Sequence, residues 1–286
     1  MPLPDDLSMR LADERDLPVI GALRESVGWS THEWALRAVL RPSDRVRCFV
    51  VTARDGRVVG VGSGVAYGAL GFVGNMIVSE DKRRRGVGSA VLAAILDFLE
   101  SRGCTRIELF ATSEGRPLYA RHGFAHTDPS GMATVPRDAS LDADPDSTVD
   151  ISTDATEVAR YDAPRFGGDR GELLAAMAAD PDRPLLLARR DARIAGYLWL
   201  RADGHRVGPF VADSPQVAAA LLREAFNHDR AADGLTLNLP TSNVPGRRWL
   251  EELGVGIEPW DGRMARGPAI SRRDDTIYAN AVGALG

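Results

Sequence analysis

Lysine is almost missing from this chain: of 35 basic residues, only Lys82 is not an arginine. We read that bias as a property of the coding sequence rather than of function. Cysteine is scarce as well. Cys48 and Cys104 show neither metal-ligand spacing nor the density of a disulfide scaffold, and both sit in apolar, strand-like contexts that suit small core residues. The five histidines stand beside no cysteine pair, so no metal site is expected. No apolar run reaches the length of a membrane span, and the N-terminal Met1-Pro2-Leu3-Pro4-Asp5-Asp6 lacks the basic and apolar regions of a signal peptide. A cytoplasmic protein without a membrane partner is expected. The net charge of −5 argues against bulk nucleic-acid binding. Gly-x-Ser-x-Gly and Gly-Lys-Ser/Thr are both missing, which argues against a serine hydrolase and a P-loop NTPase.

What is present is concentrated in one stretch, Asn75-Met76-Ile77-Val78-Ser79-Glu80-Asp81-Lys82-Arg83-Arg84-Arg85-Gly86-Val87-Gly88-Ser89-Ala90. It reads as a buried strand, a basic loop and the start of an amphipathic helix. Glycine lets the backbone approach a ligand closely, and a helix start offers unpaired N–H groups and partial positive charge. Diphosphate is the usual ligand of such a site. The bland alternative is a basic surface turn. A dinucleotide fingerprint would need a third glycine where Val91 stands.

The loop resembles the acetyl-CoA pyrophosphate loop of the GNAT N-acetyltransferase family, Arg/Gln-x-x-Gly-x-Gly/Ala, with Arg83, Gly86 and Gly88 in the fixed places. Downstream, Tyr119-Ala120-Arg121-His122-Gly123-Phe124 resembles the end of that family's last helix. The resemblance implies acetyl-CoA as cosubstrate, held by Ile77, Val78, Arg83, Arg84, Arg85, Gly86, Val87, Gly88 and Ser89. It also implies carbonyl polarisation by a backbone N–H of the strand carrying Ile77 and Val78, and Tyr119 as the acid for the departing thiolate. The alternative for Tyr119 is a core aromatic with a satisfied hydroxyl.

With 286 residues the chain has room for two domains, and it repeats itself. Arg54-Asp55-Gly56-Arg57 returns as Arg190-Asp191-Ala192-Arg193 at an offset of 136, Val73-Gly74 as Val207-Gly208 at 134, Tyr119 as Leu250 at 131, and Met132-Ala133 as Met264-Ala265 at 132. Between the copies, Pro136–Thr148 is acidic, contains two prolines and lacks apolar periodicity, as a linker does. An α/β architecture follows: two tandem GNAT-like domains, 1–138 and 148–286, each a twisted mixed sheet flanked by helices. The order in each copy is strand, two helices, hairpin, strand, helix, strand, helix. In the first copy the Asp55-Gly56 turn joins strands 48–53 and 58–66, and Leu92, Ile95, Leu96 and Leu99 form one stripe of the helix over 89–100.

The second copy departs where the chemistry lies. Ala212-Asp213-Ser214-Pro215 replaces the basic loop, placing a carboxylate, a self-capping serine and a proline without an N–H at the helix start. Leu250 replaces the phenol. This copy is expected not to bind CoA. Its segment Tyr161–Arg170 reads either as an ion-paired loop joining helices or as a wall of a substrate pocket. Trp29, Trp34, Trp199, Trp249 and Trp260 are core or pocket aromatics.

The expected reaction is acetyl transfer to a primary amine of a small molecule or peptide, by a monomer or homodimer. The base is the weak element. Where some family members carry a glutamate, this chain has Phe72; Glu33 is the catalytic candidate, with His32 beside it. The rival reading is a non-catalytic acyl-CoA-binding sensor or scaffold.

Overall fold

The structure, a computed structural model, describes residues 3–29, 31, 33–41, 43–127, 130–179, 184–201, 205–228, 232–260, 262–281, 283 and 285–286. Ser30, His32 and Pro42 therefore lie outside the described residues. The first half runs β1 (Leu7–Leu11), α1 (Leu17–Glu25), α2 (Glu33–Leu40), β2 (Val46–Ala53), β3 (Val58–Tyr67), β4 (Leu70–Val78), α3 (Val87–Ser101), β5 (Arg106–Phe110), α4 (Arg116–Arg121), β6 (Ala125–His126) and β7 (Ser130–Pro136). The second half runs β8 (Thr148–Ser152), α5 (Ala155–Phe166), α6 (Gly171–Ala178), β9 (Leu185–Arg190), β10 (Arg193–Leu200), β11 (Val207–Ala212), α7 (Pro215–Asn227), β12 (Gly234–Pro240), α8 (Val244–Glu252), β13 (Ile257–Trp260), β14 (Arg263–Arg266) and β15 (Ile277–Ala279).

The chain forms two compact units. The first comprises Met1–Ala125 with Met264–Ile270 and Gly283–Gly286; the second comprises His126–Arg263 with Ser271–Val282. The partition differs from a single cut between residues 138 and 148. Strand β7 lies in the second unit, between β12 and β13, whereas most of β14 lies in the first, in a sheet of order β1-β2-β3-β4-β5-β14-β6. The repeated pair Met132-Ala133 and Met264-Ala265 sits on these two strands, so the equivalent strands of the two copies are found in opposite units.

In the first unit the sheet is covered on both faces. Val87, Val91, Leu92, Ile95 and Leu99 of α3 pack with Val51, Val59 and Val73 on one face. Ile20 and Leu23 of α1 and Leu36 and Leu40 of α2 pack with Cys48, Val50, Val61 and Ile77 on the other. Glycine alternation in β3 makes the first contact close: a methyl added at Gly62 would lie 2.6 Å from Val91, and one at Gly64 would lie 2.7 Å from Ile95. The β2–β3 hairpin turns on Gly56 in the left-handed region (φ 83°), with the Arg57 amide donating to Asp55 Oδ1. Asp13 accepts from the Arg15 amide ahead of α1, and Pro18 occupies its first turn. Cys48 and Cys104 are buried free thiols, pushed up to about 12 and about 11 by burial.

The second unit has a five-stranded sheet, β15-β11-β10-β9-β8, and a three-stranded one, β12-β7-β13. Helix α7 packs Val217, Ala218, Leu221 and Leu222 into its core, beside Leu250 and Trp249 of α8. Trp199 is wholly buried, so both tryptophans are packing residues of this unit. The Tyr161–Arg170 segment forms the end of α5 and the approach to α6. There Arg170 makes a bidentate pair with Asp162 at 2.8 and 3.0 Å, and Tyr197 donates to Asp162 Oδ1 at 2.5 Å. All three are buried, which favours the ion-paired reading over the pocket wall. Among the described residues, no helix is long and apolar enough to cross a membrane.

Candidate active site

The basic loop of the first unit takes the shape its sequence demands. Strand β4 ends at Val78, one turn of 3-10 helix covers Glu80–Lys82, Arg83 is extended, and Arg84 (φ 57°) and Gly86 (φ 83°) are both left-handed. Left-handed residues are one ingredient of the backbone concavities that bind anions. Gly86 is the N-cap of α3; no side chain caps the helix and its first turn has no acidic residue. Gly88 packs closely against α4: an added methyl would lie 3.3 Å from the end of the Leu118 side chain. Val87 and Ile77 are buried, so only their backbones can serve a ligand.

The loop's cations are held in place by neighbours. Arg83 donates through Nε to the Val78 carbonyl at 3.2 Å and pairs with Glu114 at 3.0 Å. Arg85 pairs with Asp6 at 2.7 Å and Lys82 with the same carboxylate at 3.6 Å. The Arg85 hydrogen bond holds the Asp6 carboxyl below its ordinary range. Asp81 is lowered to about 2 by hydrogen bonds from Arg57 and Ser79. Arg84 is exposed, and no ion pair involves it among the described residues. Ser89 Oγ lies 3.1 Å from His122 Nε2.

Beside the loop is an open strand edge. Strands β4 and β5 are parallel and pair only at Leu70–Arg106, Gly71–Ile107 and Phe72–Glu108. From Val73 to Val78, β4 has no strand partner on that side among the described residues. Tyr119, on α4, is 7% exposed, with its ring edge-on to Phe124. Its hydroxyl makes no hydrogen bond among the described residues. Burial pushes its pKa up to about 12, so the phenol keeps its proton across the working range.

Glu33 is placed differently. It begins α2 with its side chain exposed and pairs with Arg37 one turn on, at 2.7 Å. Phe72 is buried and stacks obliquely on Phe110, with ring centres 5.7 Å apart. Three residues of this neighbourhood escaped the sequence reading: Arg24, Ser63 and Asn75. Asn75 has φ 54° within a strand and is buried. The usable signal was an asparagine inside an apolar strand, since asparagine is among the few residues that tolerate that conformation.

The corresponding place in the second unit is filled by the chain itself. Strands β11 and β12 lie in different sheets, and among the described residues the bridge near them is Arg206–Thr236, just before β11. Strand β15 pairs with β11 at Phe210–Ala279 and Val211–Ile277. Asn280 then reaches β12, its side chain donating to Asn238 Oδ1 at 2.7 Å. Tyr278 is fully buried between Phe210 and Trp249. Ser214 caps α7 by accepting from the Val217 amide, and Asp213 pairs with Arg165 at 2.6 Å.

Comparison with known proteins agrees with this geometry. The acetyltransferase (GNAT) family model matches residues 14–124, and a second acetyltransferase (GNAT) domain model matches residues 158–279. The chain belongs to the GNAT acetyltransferase family. It is a tandem member, with one GNAT domain match in each half. The uncharacterized N-acetyltransferase YitH of Bacillus subtilis (strain 168) is 30% identical over 163 residues, which are 54% of this chain and 56% of that protein. The aligned part thus spans little more than half of that GNAT relative. Mycothiol acetyltransferase of Clavibacter michiganensis subsp. michiganensis (strain NCPPB 382) is 26% identical over 245 residues, covering 78% of this chain and 75% of its own. Among solved structures, one from Pyrococcus horikoshii described as a candidate acetyltransferase superposes with a TM-score of 0.82 at 22% identity. It covers 100% of this chain and 98% of its own, a likeness of fold.

Proposed function

We propose that this protein is an acetyl-CoA-dependent N-acetyltransferase acting on a primary amine of a small molecule or peptide, and that only its first unit binds the cosubstrate. One observation carries the reading: the uncapped, acid-free start of α3, preceded by left-handed Arg84 and Gly86, lies in sequence directly after the open edge of β4. The donor set fits a diphosphate followed by an amide-bearing arm. Acetyl-CoA would supply an activated thioester. The amides of residues 84–89, with Arg83, Arg84 and Arg85, would hold the diphosphate. The free edge of β4 near Ile77 and Val78 would bond the arm and polarise the carbonyl. Tyr119 would give its phenolic proton to the leaving sulfur. Glu33 stays in the reading as a solvent-facing carboxylate that could take the amine proton through water. The amino-sugar acceptor suggested by the mycothiol relative belongs in the test panel.

A second reading, a non-catalytic acyl-CoA sensor or scaffold, is favoured by Phe72, an apolar residue where some relatives place a base. An amine-library assay of thiol release from acetyl-CoA separates the two. Turnover with any amine supports the enzyme; saturable acetyl-CoA binding with no turnover across the library supports the sensor.

A further inference from the structure

Strand β4 carries a bulge. Its register with β3 is Ser63–Gly74 before the irregularity and Val61–Ile77 after it, so Asn75 and Met76 together oppose Gly62. The side chains report the slip: Val73 packs on the α3 face and Ile77 on the α1–α2 face, although the two are four residues apart and would share a face in a regular strand. A one-residue change of phase also reverses which peptide groups face the open edge. The bulge depends on Asn75 at φ 54°, and Gly62 makes room, since a methyl there would lie 2.5 Å from Met76 Sδ.

The Asn75 side chain is held from two sides. Its Nδ2 donates to Ser63 Oγ at 2.9 Å, and its Oδ1 accepts from Arg24 Nη1 at 2.6 Å. Ser63 and Asn75 are buried, and the Arg24 guanidinium lies 5.5 Å from the Trp29 ring centre. Burial lowers the Arg24 pKa, so a desolvated cation supports this contact. A charged donor makes the stronger kind of hydrogen bond, and α1 thereby reaches the bulge through one side chain.

We infer that Arg24, through Asn75 and Ser63, is a positioning residue: it fixes the β4 bulge so that the strand's open-edge amide meets the thioester carbonyl. This rests on the function proposed above. The test uses the full chain and acetyl-CoA carrying carbon-13 at the carbonyl. Affinity is read by calorimetry, carbonyl polarisation by infrared difference spectroscopy and turnover by thiol release. For Arg24→Met and Asn75→Ala we expect most of the bound-carbonyl shift to be lost and kcat to fall at least about tenfold, while acetyl-CoA affinity stays within about threefold. Arg24→Lys should restore part of the shift. Ser63→Ala, a milder change that should leave folding intact, should lose a smaller part. Asn75→Gly keeps the backbone conformation and removes the network; a full carbonyl shift in it, or an unchanged shift in Arg24→Met and Ser63→Ala, would overturn the inference. A wild type that does not bind acetyl-CoA would overturn the parent function instead.

Discussion

Helix α3 starts on a left-handed glycine with its first amides uncapped, whereas α7 starts on Ser214, whose hydroxyl already accepts from the Val217 amide. The strand before α3 leaves an edge open from Val73 onward; the strand before α7 is paired by β15 and its gap is spanned to β12 by Asn280. Among the described residues the Tyr119 hydroxyl on α4 makes no hydrogen bond, and its counterpart Leu250 on α8 is buried hydrocarbon. The two copies share one fold and differ in what their ends leave unsatisfied. In the first copy the helix start has no side-chain cap, the place we propose for a ligand; in the second, Ser214 takes up the Val217 amide and β15 pairs with β11. A GNAT fold is thus compatible with both, and the function proposed above rests on a few residues at one helix start and one strand edge.

The comparison can be broken in several places. The largest effect is expected at the buried ion pair of the second unit. Asp162→Ala leaves Arg170 buried without its carboxylate and should cost about 3–5 kcal/mol in denaturant unfolding of the full chain, with acetyl-CoA affinity unchanged. Tyr119→Phe should lower kcat about a hundredfold at constant acetyl-CoA affinity, because only the proton is lost. The pH dependence has a definite sign. The Tyr119 pKa is raised to about 12, so the acid form persists as pH climbs, and its contribution to kcat should survive to about pH 11 in a rate profile. The double change Asp213→Gly, Ser214→Gly should leave the binding stoichiometry as it was, since β15 still fills the gap; a second site in calorimetry would show that the loop alone had closed it. The smallest effect is expected at Glu33. Exposed and paired with Arg37, its change to Gln should alter kcat within about twofold and leave the acidic limb of the rate profile in place. A lost acidic limb would show that the amine proton leaves through Glu33 itself.

The basic loop, the α3 stripe, the Asp55-Gly56 hairpin and the order of elements through α4 and α8 were legible because each rests on local rules: glycine at left-handed positions, helical periodicity and turn chemistry. The strands β13, β14 and β15, of four, four and three residues, were not, since so few residues carry no period. Strand β7 pairs with β12 over seven residues, from Ser130–Pro240 to Pro136–Gly234, and β14 joins the other sheet. The Met132-Ala133 and Met264-Ala265 repeat marked both strands, but a strand's own pattern does not name its partner. The bulge at Asn75 stayed hidden for a similar reason. It is fixed by Ser63 and Arg24, which lie 12 and 51 residues away.

The most direct test of the contrast between the two units is a calorimetric titration of the full chain with acetyl-CoA, alongside Arg83→Glu, Arg85→Glu. The account predicts one site per chain in the wild type and none in the double variant. Two sites would contradict the closed second unit, and no binding to the wild type would contradict the open first one.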